Sequence, residues 1–246
     1  MTAKERIDRL LLERGLVKSR QQAQALILEG AVLVNEDRID KAGTRVDRTA
    51  TIRLKHLPSP YASRAGLKLE KALGIFAPNI EGFICLDIGA STGGFTDCLL
   101  QHGASQVFAV DVGHNQLDWK LRCDPRVVCL EGLNARYLRF EQIGIQMDLV
   151  TLDLSFISLT LVLPVLHPFL KPQSNIICLI KPQFEVGRTQ VEKGGLVTDP
   201  RKHQQVIDKI TRAASVEAYS IEGVIESPIP GAEGNKEFLM GLRAVT

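Results

Sequence analysis

Two hydrophobic rhythms divide the chain. Near its start, apolar positions recur at helical spacing: Ile7, Leu10 and Leu11 share one face, and Gly15 is placed as a left-handed stop. A second helix is predicted from Ser19, whose hydroxyl can cap it while Gln22 reaches back in a capping box. Ala23, Leu26 and Ile27 form its inner face, and Gly30 ends it. Short apolar segments at 31–34 and 51–54, with turn chemistry at 35–37, complete a small α+β unit.

From residue 83 the rhythm changes to near-continuous apolar runs at 83–87, 106–111, 127–130, 148–153 and 175–180, separated by helix-like stretches. Such alternation demands right-handed crossovers and a mostly parallel sheet covered on both faces. A short helix over 65–73 leads into this core, and a longer one follows it over 200–214. The last two runs, 216–226 and 237–242, flank a Pro/Gly-rich turn and are expected as an antiparallel hairpin at one sheet edge. Between the units Pro58 and Pro60 keep the backbone extended. The expected division is residues 1–56, a linker over 57–63, and residues 64–246.

A chain of 246 residues has room for one α/β core and a small appendage. Its net charge of +2 conceals an asymmetry, because residues 1–71 carry a net +6 and residues 72–246 a net −4. A basic head on a mildly acidic body points to a polyanionic partner. Arg6, Arg9, Arg14, Lys18 and Arg20 are read as pointing outward around the helix pair, with Arg64 a further contact beyond the linker. The five cysteines are dispersed, form no C-x-x-C pair, and read as small core residues in a reducing cytosol. No run approaches the ~18 apolar residues of a membrane span, and the charged opening has no signal-peptide stretch. A cytoplasmic protein with no membrane partner is expected.

The loop Gly89-Ala90-Ser91-Thr92-Gly93-Gly94 follows a predicted strand and opens a helix, the setting of a nucleotide-binding turn. A pyrophosphate needs a glycine at the middle position, where this chain has Ser91, so a dinucleotide is disfavoured. S-adenosylmethionine has no phosphate, but its amino-acid end can bond loop backbone groups and its ribose calls for a clamp. Asp111 ends the second strand 22 residues after Gly89, close to the spacing of about 20 at which a carboxylate meets the ribose hydroxyls. Asn134 and Asp148 are candidates for the adenine side, each equally readable as a turn or strand-start residue. A tight strand-to-helix turn without a ligand is the plain alternative for the loop.

Charged residues end two of the apolar runs, at Asp153 and Lys181. The carboxyl ends of parallel strands form the ligand crevice of an open α/β sheet, so this pair stands where chemistry belongs. Glu237 begins the final antiparallel strand on that same edge, and Lys68 on the leading helix can close the group. Singly, each is most simply a solvated charge. Together, around a methyl donor, two lysines and two acids suit transfer to a hydroxyl, an in-line displacement in which orientation supplies much of the rate. A base is needed only for the hydroxyl proton, and a lysine takes it only from the neutral state.

Lys68, Asp153, Lys181 and Glu237 resemble the Lys-Asp-Lys-Glu tetrad of FtsJ-type ribose 2′-O-methyltransferases. The segments GASTGGFTD, QLDWKLR, DLSFISL, KPQFEVGR and GNKEF resemble the TlyA family, and RIDRLLLERGLVKSRQQAQALILEGAVLVN is similar to an S4 RNA-binding domain. The resemblance covers nearly the whole chain in order. It implies a Rossmann-like class I methyltransferase fold, mostly parallel with an antiparallel edge hairpin, behind a small α+β S4 domain. The implied cofactor is S-adenosylmethionine, surrounded by Asp87, Gly89, Ala90, Ser91, Gly93, Gly94, Phe95, Asp111, Val112, Asn134 and Asp148. The implied catalytic group is the tetrad, no metal is expected, and the implied partner is ribosomal RNA or a ribosomal subunit. Methylation would fall on a cytidine ribose of 16S and/or 23S RNA, and some members carry a haemolysin label.

Small departures lie away from the tetrad: Ala62 and Ala65 stand where the family pattern has valine and glycine, and His114 and Asn115 where it has tyrosine and glycine. An RNA target agrees with the chemistry, since the 2′-hydroxyl distinguishes RNA from DNA. With 5% aromatic residues, base stacking is not expected to be the main grip. Competing readings are a non-catalytic ribosome-binding factor, a membrane lysin and a nicotinamide oxidoreductase; Ser91 speaks against the last.

Overall fold

The helical rhythm at the amino end yields α1 (Ile7–Glu13) and α2 (Arg20–Leu28), joined through Gly15 at φ +67°. A computed structural model describes residues 4–28, 30–55, 59–231 and 234–245 of the chain. The chain divides into two compact units, Met1–Ser59 and Pro60–Thr246; residue 56 of the expected first unit and residues 57 and 58 of the expected linker lie outside the described residues.

In the first unit β1 (Lys4–Arg6) pairs antiparallel with β4 (Arg45–Asp47), while β2 (Val32–Val34) lies between β3 (Asp37–Arg38) and β5 (Ile52–Leu54). Ile7, Leu10, Leu11, Ala23, Leu26 and Ile27 close the core against Val32, Val34 and Val46. The Ser19 hydroxyl caps α2 by accepting from Gln22 N at 3.1 Å. The return bond differs from a capping box: the Gln22 side chain accepts from Lys18 N at 2.8 Å, one residue earlier than expected.

The basic residues of this unit are less uniform than their spacing suggests. Asp8 is fully buried and gathers the guanidinium groups of Arg6 at 3.0 Å and Arg20 at 2.8 Å. Hydrogen bonding from Arg6 first, then Arg20, holds its carboxyl well below the usual carboxylate range. Arg14 donates to the carbonyls of Ala50 at 2.8 Å and Arg48 at 2.5 Å. Arg14 and Arg20 are exposed as expected and Arg6 is half-buried, and the guanidinium groups of all three also tie the unit together. Arg9 and Lys18 are exposed.

The second unit runs α3 (Ala65–Phe76), β6 (Ile84–Ile88), α4 (Gly94–Gln101), β7 (Gln106–Asp111), α5 (Trp119–Arg122), β8 (Val127–Glu131) and β9 (Met147–Leu152). It continues through β10 (Leu170–Ile180), α6 (Pro182–Glu185), α7 (Pro200–Val216), β11 (Tyr219–Glu226) and β12 (Phe238–Ala244). The seven strands form one sheet in the order β11-β12-β10-β9-β6-β7-β8, parallel except for β12, which runs antiparallel to both neighbours. Residues alternate between two cores: Ile176, Cys178 and Ile180 face α7, whereas Ile177 and Leu179 face the layer of α3 and α4. Burial on both faces is why these strands read as unbroken apolar runs.

Three local features depart from simple strand–helix alternation. Between β9 and β10 the crossover is a series of 3₁₀ turns, Leu159–Leu161, Leu163–Val165 and His167–Phe169, because Pro164 and Pro168 cannot sit inside a continuous α-helix. α7 continues to Val216, so the strand expected from 216 begins at Tyr219 after a turn through Ala218 at φ +57°. Cys85, Cys98 and Cys178 are core residues, but Cys129 is partly buried and Cys123 exposed.

Candidate active site

The strand order reverses at β6: the chain builds outward through β7 to β8, then returns to place β9 on the other side of β6. A crevice opens at the carboxyl ends of strands at such a reversal. Here it is a cavity of about 690 Å³ bounded by Ile88, Gly89 and Ser91 after β6, Asp111 and Val112 after β7, residues 133–137, residues 153–158, and Phe184. That volume falls within the roughly 300–1,000 Å³ of small-molecule sites.

The glycine loop is shaped by close approaches. Gly89 sits at φ +89°, and a Cβ there would lie 2.3 Å from the Asp153 carbonyl oxygen, so only glycine lets the loop after β6 pass this close to the end of β9. Ser91 is also left-handed, at φ +48°. Its N–H donates to Asp111 Oδ2 at 2.8 Å, while Asp111 Oδ1 accepts from Gly113 N at 2.7 Å. The proposed ribose clamp thus orders two loops with its own carboxylate, keeping its remaining lone pairs at the cavity wall. Asn134 lines the wall too and caps the following turn by accepting from Arg136 N at 3.0 Å. Asn115, where the family pattern has glycine, adopts φ +57°, a conformation asparagine tolerates better than most residues.

Of the eleven residues expected around a cofactor, Gly89, Ser91, Asp111, Val112 and Asn134 line the cavity. Ala90, Gly93, Gly94 and Phe95 lie behind it: Ala90 and Phe95 are buried in the core, and a Cβ on Gly94 would meet Ser63 Oγ at 2.2 Å. Asp87 is fully buried, accepting from Thr96 Oγ1 at 2.7 Å and Thr151 Oγ1 at 2.9 Å. Burial pushes its carboxyl up to about 7 despite the two hydroxyls. It pins α4 and β9 to β6 beneath the loop. Asp148 lies at the opposite edge of the sheet, at the amino end of β9, held by Lys171 Nζ at 2.7 Å and Ile84 N at 2.9 Å. Its reading on the adenine side is corrected, because a strand's first residues emerge away from the crevice.

The four charged residues arrive from separate elements as two ion pairs. Lys181, immediately after β10, places Nζ 2.6 Å from Asp153 Oδ1 and donates to Ser155 Oγ at 3.0 Å. The Asp153 contact lacks hydrogen-bond alignment. Lys68, on the buried face of α3, places Nζ 2.5 Å from Oε2 of the buried Glu237. The register pairs Ile180 with Phe238, so Lys181 and Glu237 stand one step beyond on the same sheet edge. Arg64 is only partly exposed, just before α3.

Three aromatic residues of the cavity wall were not among the expected site residues. Phe156 is 90% exposed at φ +64°, with its ring 4.8 Å from that of Phe184. Lys181 Nζ lies 6.0 Å from the centre of the Phe184 ring. Tyr137 is 68% exposed beneath the Arg136 guanidinium. Aromatics are few in this chain, yet two of them stand exposed where the cavity meets solvent.

Residues 61–244 match the FtsJ-like methyltransferase family. The chain belongs to that family. Residues 5–52 match the S4 domain. TlyA of Mycobacterium tuberculosis (strain ATCC 25618 / H37Rv), named a 16S/23S rRNA (cytidine-2′-O)-methyltransferase, is 46% identical over 100% of this chain and 92% of its own. A solved structure from Streptococcus thermophilus, named for a hemolysin, is 43% identical, covering 99% of this chain and 90% of its own at a TM-score of 0.77. An S-adenosylmethionine-dependent methyltransferase from Mesorhizobium loti covers 70% of this chain and 96% of its own at 17% identity and a TM-score of 0.51, a likeness of fold alone. The FtsJ-like unit therefore has the class I methyltransferase fold expected from its sequence. Among the described residues no helix is long and apolar enough to cross a membrane, and no group of three His, Cys, Asp or Glu could hold a metal ion.

Proposed function

We propose that the chain methylates a ribose 2′-hydroxyl of ribosomal RNA, on cytidine, using S-adenosylmethionine. The observation that carries this reading is the meeting of Asp153–Lys181 and Lys68–Glu237 at the sheet edge that borders the cavity. The name of the M. tuberculosis relative, similar over the full length of this chain, supports the same substrate. The S4 match supports an RNA partner, because such a head supplies phosphate attraction.

The cavity suits S-adenosylmethionine: Asp111 and Asn134 offer polar contacts for an adenosine, between the apolar walls of Ile88, Val110 and Leu133. When bound, this cofactor supplies a methyl group on a sulfonium, open to in-line attack. Lys181 orients the attacking hydroxyl and, as the neutral amine, takes its proton to become the ammonium that Asp153 pairs. Asp153 and Ser155 hold the Lys181 Nζ in place for that role. Most of the rate comes from holding nucleophile and methyl in line, since the reaction needs one proton removed and no further activation.

The test is tritiated methyl transfer from S-adenosylmethionine to separated ribosomal subunits lacking the modification, with products mapped by ribose-methyl-sensitive primer extension. Label on a cytidine ribose, absent with Lys181→Ala, is expected. No label on either subunit overturns the reading.

A further inference from the structure

We propose that Glu185 is a positioning residue for methyl transfer, fixing the segment that carries Asp153 against the turn that carries Lys181. The inference rests on the methyl-transfer reading, which requires those two side chains to meet at one point.

After β9 ends at Leu152, the chain crosses the cavity wall through residues 153–158 before reaching a 3₁₀ turn at Leu159–Leu161. Its near end is anchored where Asp153 N donates to Ile88 O at 3.0 Å. Midway, Phe156 holds a left-handed backbone at φ +64°, which a non-glycine residue keeps only when its surroundings impose it. The far end is where Glu185 acts. Its Oε2 accepts from Ser158 Oγ at 2.6 Å and its Oε1 from Leu159 N at 2.7 Å, so both oxygens serve this one segment.

Lys181 grips the same segment through Asp153 and Ser155. Lys181 immediately precedes α6 and Glu185 ends it, and Phe184 N closes that turn onto Lys181 O at 2.9 Å. One short turn therefore holds the segment near both ends, and the place of Asp153 relative to Lys181 follows from where Glu185 takes hold.

A charge this deep is costly without a partner; the Glu185 side chain is 2% exposed. Lys209 on α7 supplies it, at 3.0 Å from Oε2 and 2.8 Å from the Glu185 carbonyl oxygen. Stability alone does not call for an ion pair here, since apolar groups of similar size fill such sites equally well. A carboxylate is the side chain that accepts at both ends and donates at neither, matching a hydroxyl and an amide that both donate.

The test compares the native chain with Glu185→Gln and with the double variant Glu185→Leu/Lys209→Met, which leaves no lone buried charge. Hydrogen exchange over 153–160, S-adenosylmethionine affinity, and the pH profile and rate of single-turnover transfer to ribosomal subunits are measured on each. Exchange confined to that segment should quicken and transfer should slow, each by about tenfold in the double variant, with cofactor affinity within about threefold and the pH profile displaced. Glu185→Gln, which retains an acceptor for Leu159 N, should fall between, and it carries the test if the double variant fails to fold. Unchanged exchange, or transfer at the native rate, overturns the proposal while leaving the methyl-transfer reading intact. A native chain that transfers no methyl sinks that reading, and this role for Glu185 with it.

Discussion

Lys68 and Glu237 lie 169 residues apart in sequence, yet their charged ends are 2.5 Å apart in a site nearly closed to water. Removing one partner strands the other. Lys68→Met should lower the unfolding free energy by about 3–5 kcal/mol, the usual cost of an unpaired buried charge, as read from urea titration. The double change Lys68→Met/Glu237→Leu should recover most of that loss without restoring methyl transfer. A double variant as unstable as the single one would show that the two charges do not act as a pair.

Lys181 is less deeply enclosed, and its role is chemical before it is structural. Lys181→Met should leave S-adenosylmethionine affinity within about threefold and reduce methyl transfer at least about a thousandfold. Calorimetry and single-turnover transfer on the same preparation separate the two effects. Loss of cofactor affinity equal to the loss of rate would instead make Lys181 a binding residue.

Gly89 tests the glycine loop. An alanine there meets the Asp153 carbonyl oxygen at 2.3 Å and must hold φ +89°. The strain of such a backbone is about 1–3 kcal/mol, and the collision displaces Asp153 as well. Gly89→Ala should therefore weaken the cofactor and slow transfer together, whereas Gly74→Ala, with nothing within 4 Å, should do neither.

Asp87 makes stability depend on pH in an unusual direction. Its folded value of about 7 lies above its unfolded value, so between the two the folded chain binds the extra proton. Its contribution is greatest below the unfolded value and is lost as the pH rises through 7. Asp87→Asn should remove this dependence, so that between pH 5 and pH 8 the difference in unfolding free energy moves in the variant's favour by on the order of a few kcal/mol. Parallel titration curves for the two proteins would refute it.

The basic head should separate into two classes of arginine. Arg9 is exposed, so Arg9→Ala should weaken RNA binding evenly across sequences and reduce the salt slope by about 1. Arg14 is bound to two carbonyls, so Arg14→Ala should first lower the stability of the Met1–Ser59 unit. Filter binding over a salt series, set beside thermal unfolding, distinguishes them.

The parallel sheet was legible because strands buried on both faces leave unbroken apolar runs, and Asp153, Lys181 and Glu237 stood out because they end or begin such runs, whereas Lys68 lies within a helix. What escaped notice depends on contacts between distant segments. Whether Asp148 meets the crevice is decided by which end of β9 it occupies, and Asp87 differs from Asp111 only in which groups surround it. Three arginines read as RNA contacts are partly spent on Asp8 and on backbone carbonyls, partners that helical spacing does not reveal. Phe156 lies inside a recognisable motif, but its exposure comes from a left-handed turn that no neighbouring glycine announces.

The insertion of β12 between β10 and β11 also orders events in time. Glu237 is made 169 residues after Lys68, and until β12 is seated the Lys68–Glu237 ion pair is not formed and the sheet edge beside Lys181 is incomplete. The Met1–Ser59 unit needs nothing beyond its own residues to close its core. A chain still in synthesis can thus close the core of its basic head long before Lys68 and Glu237 meet.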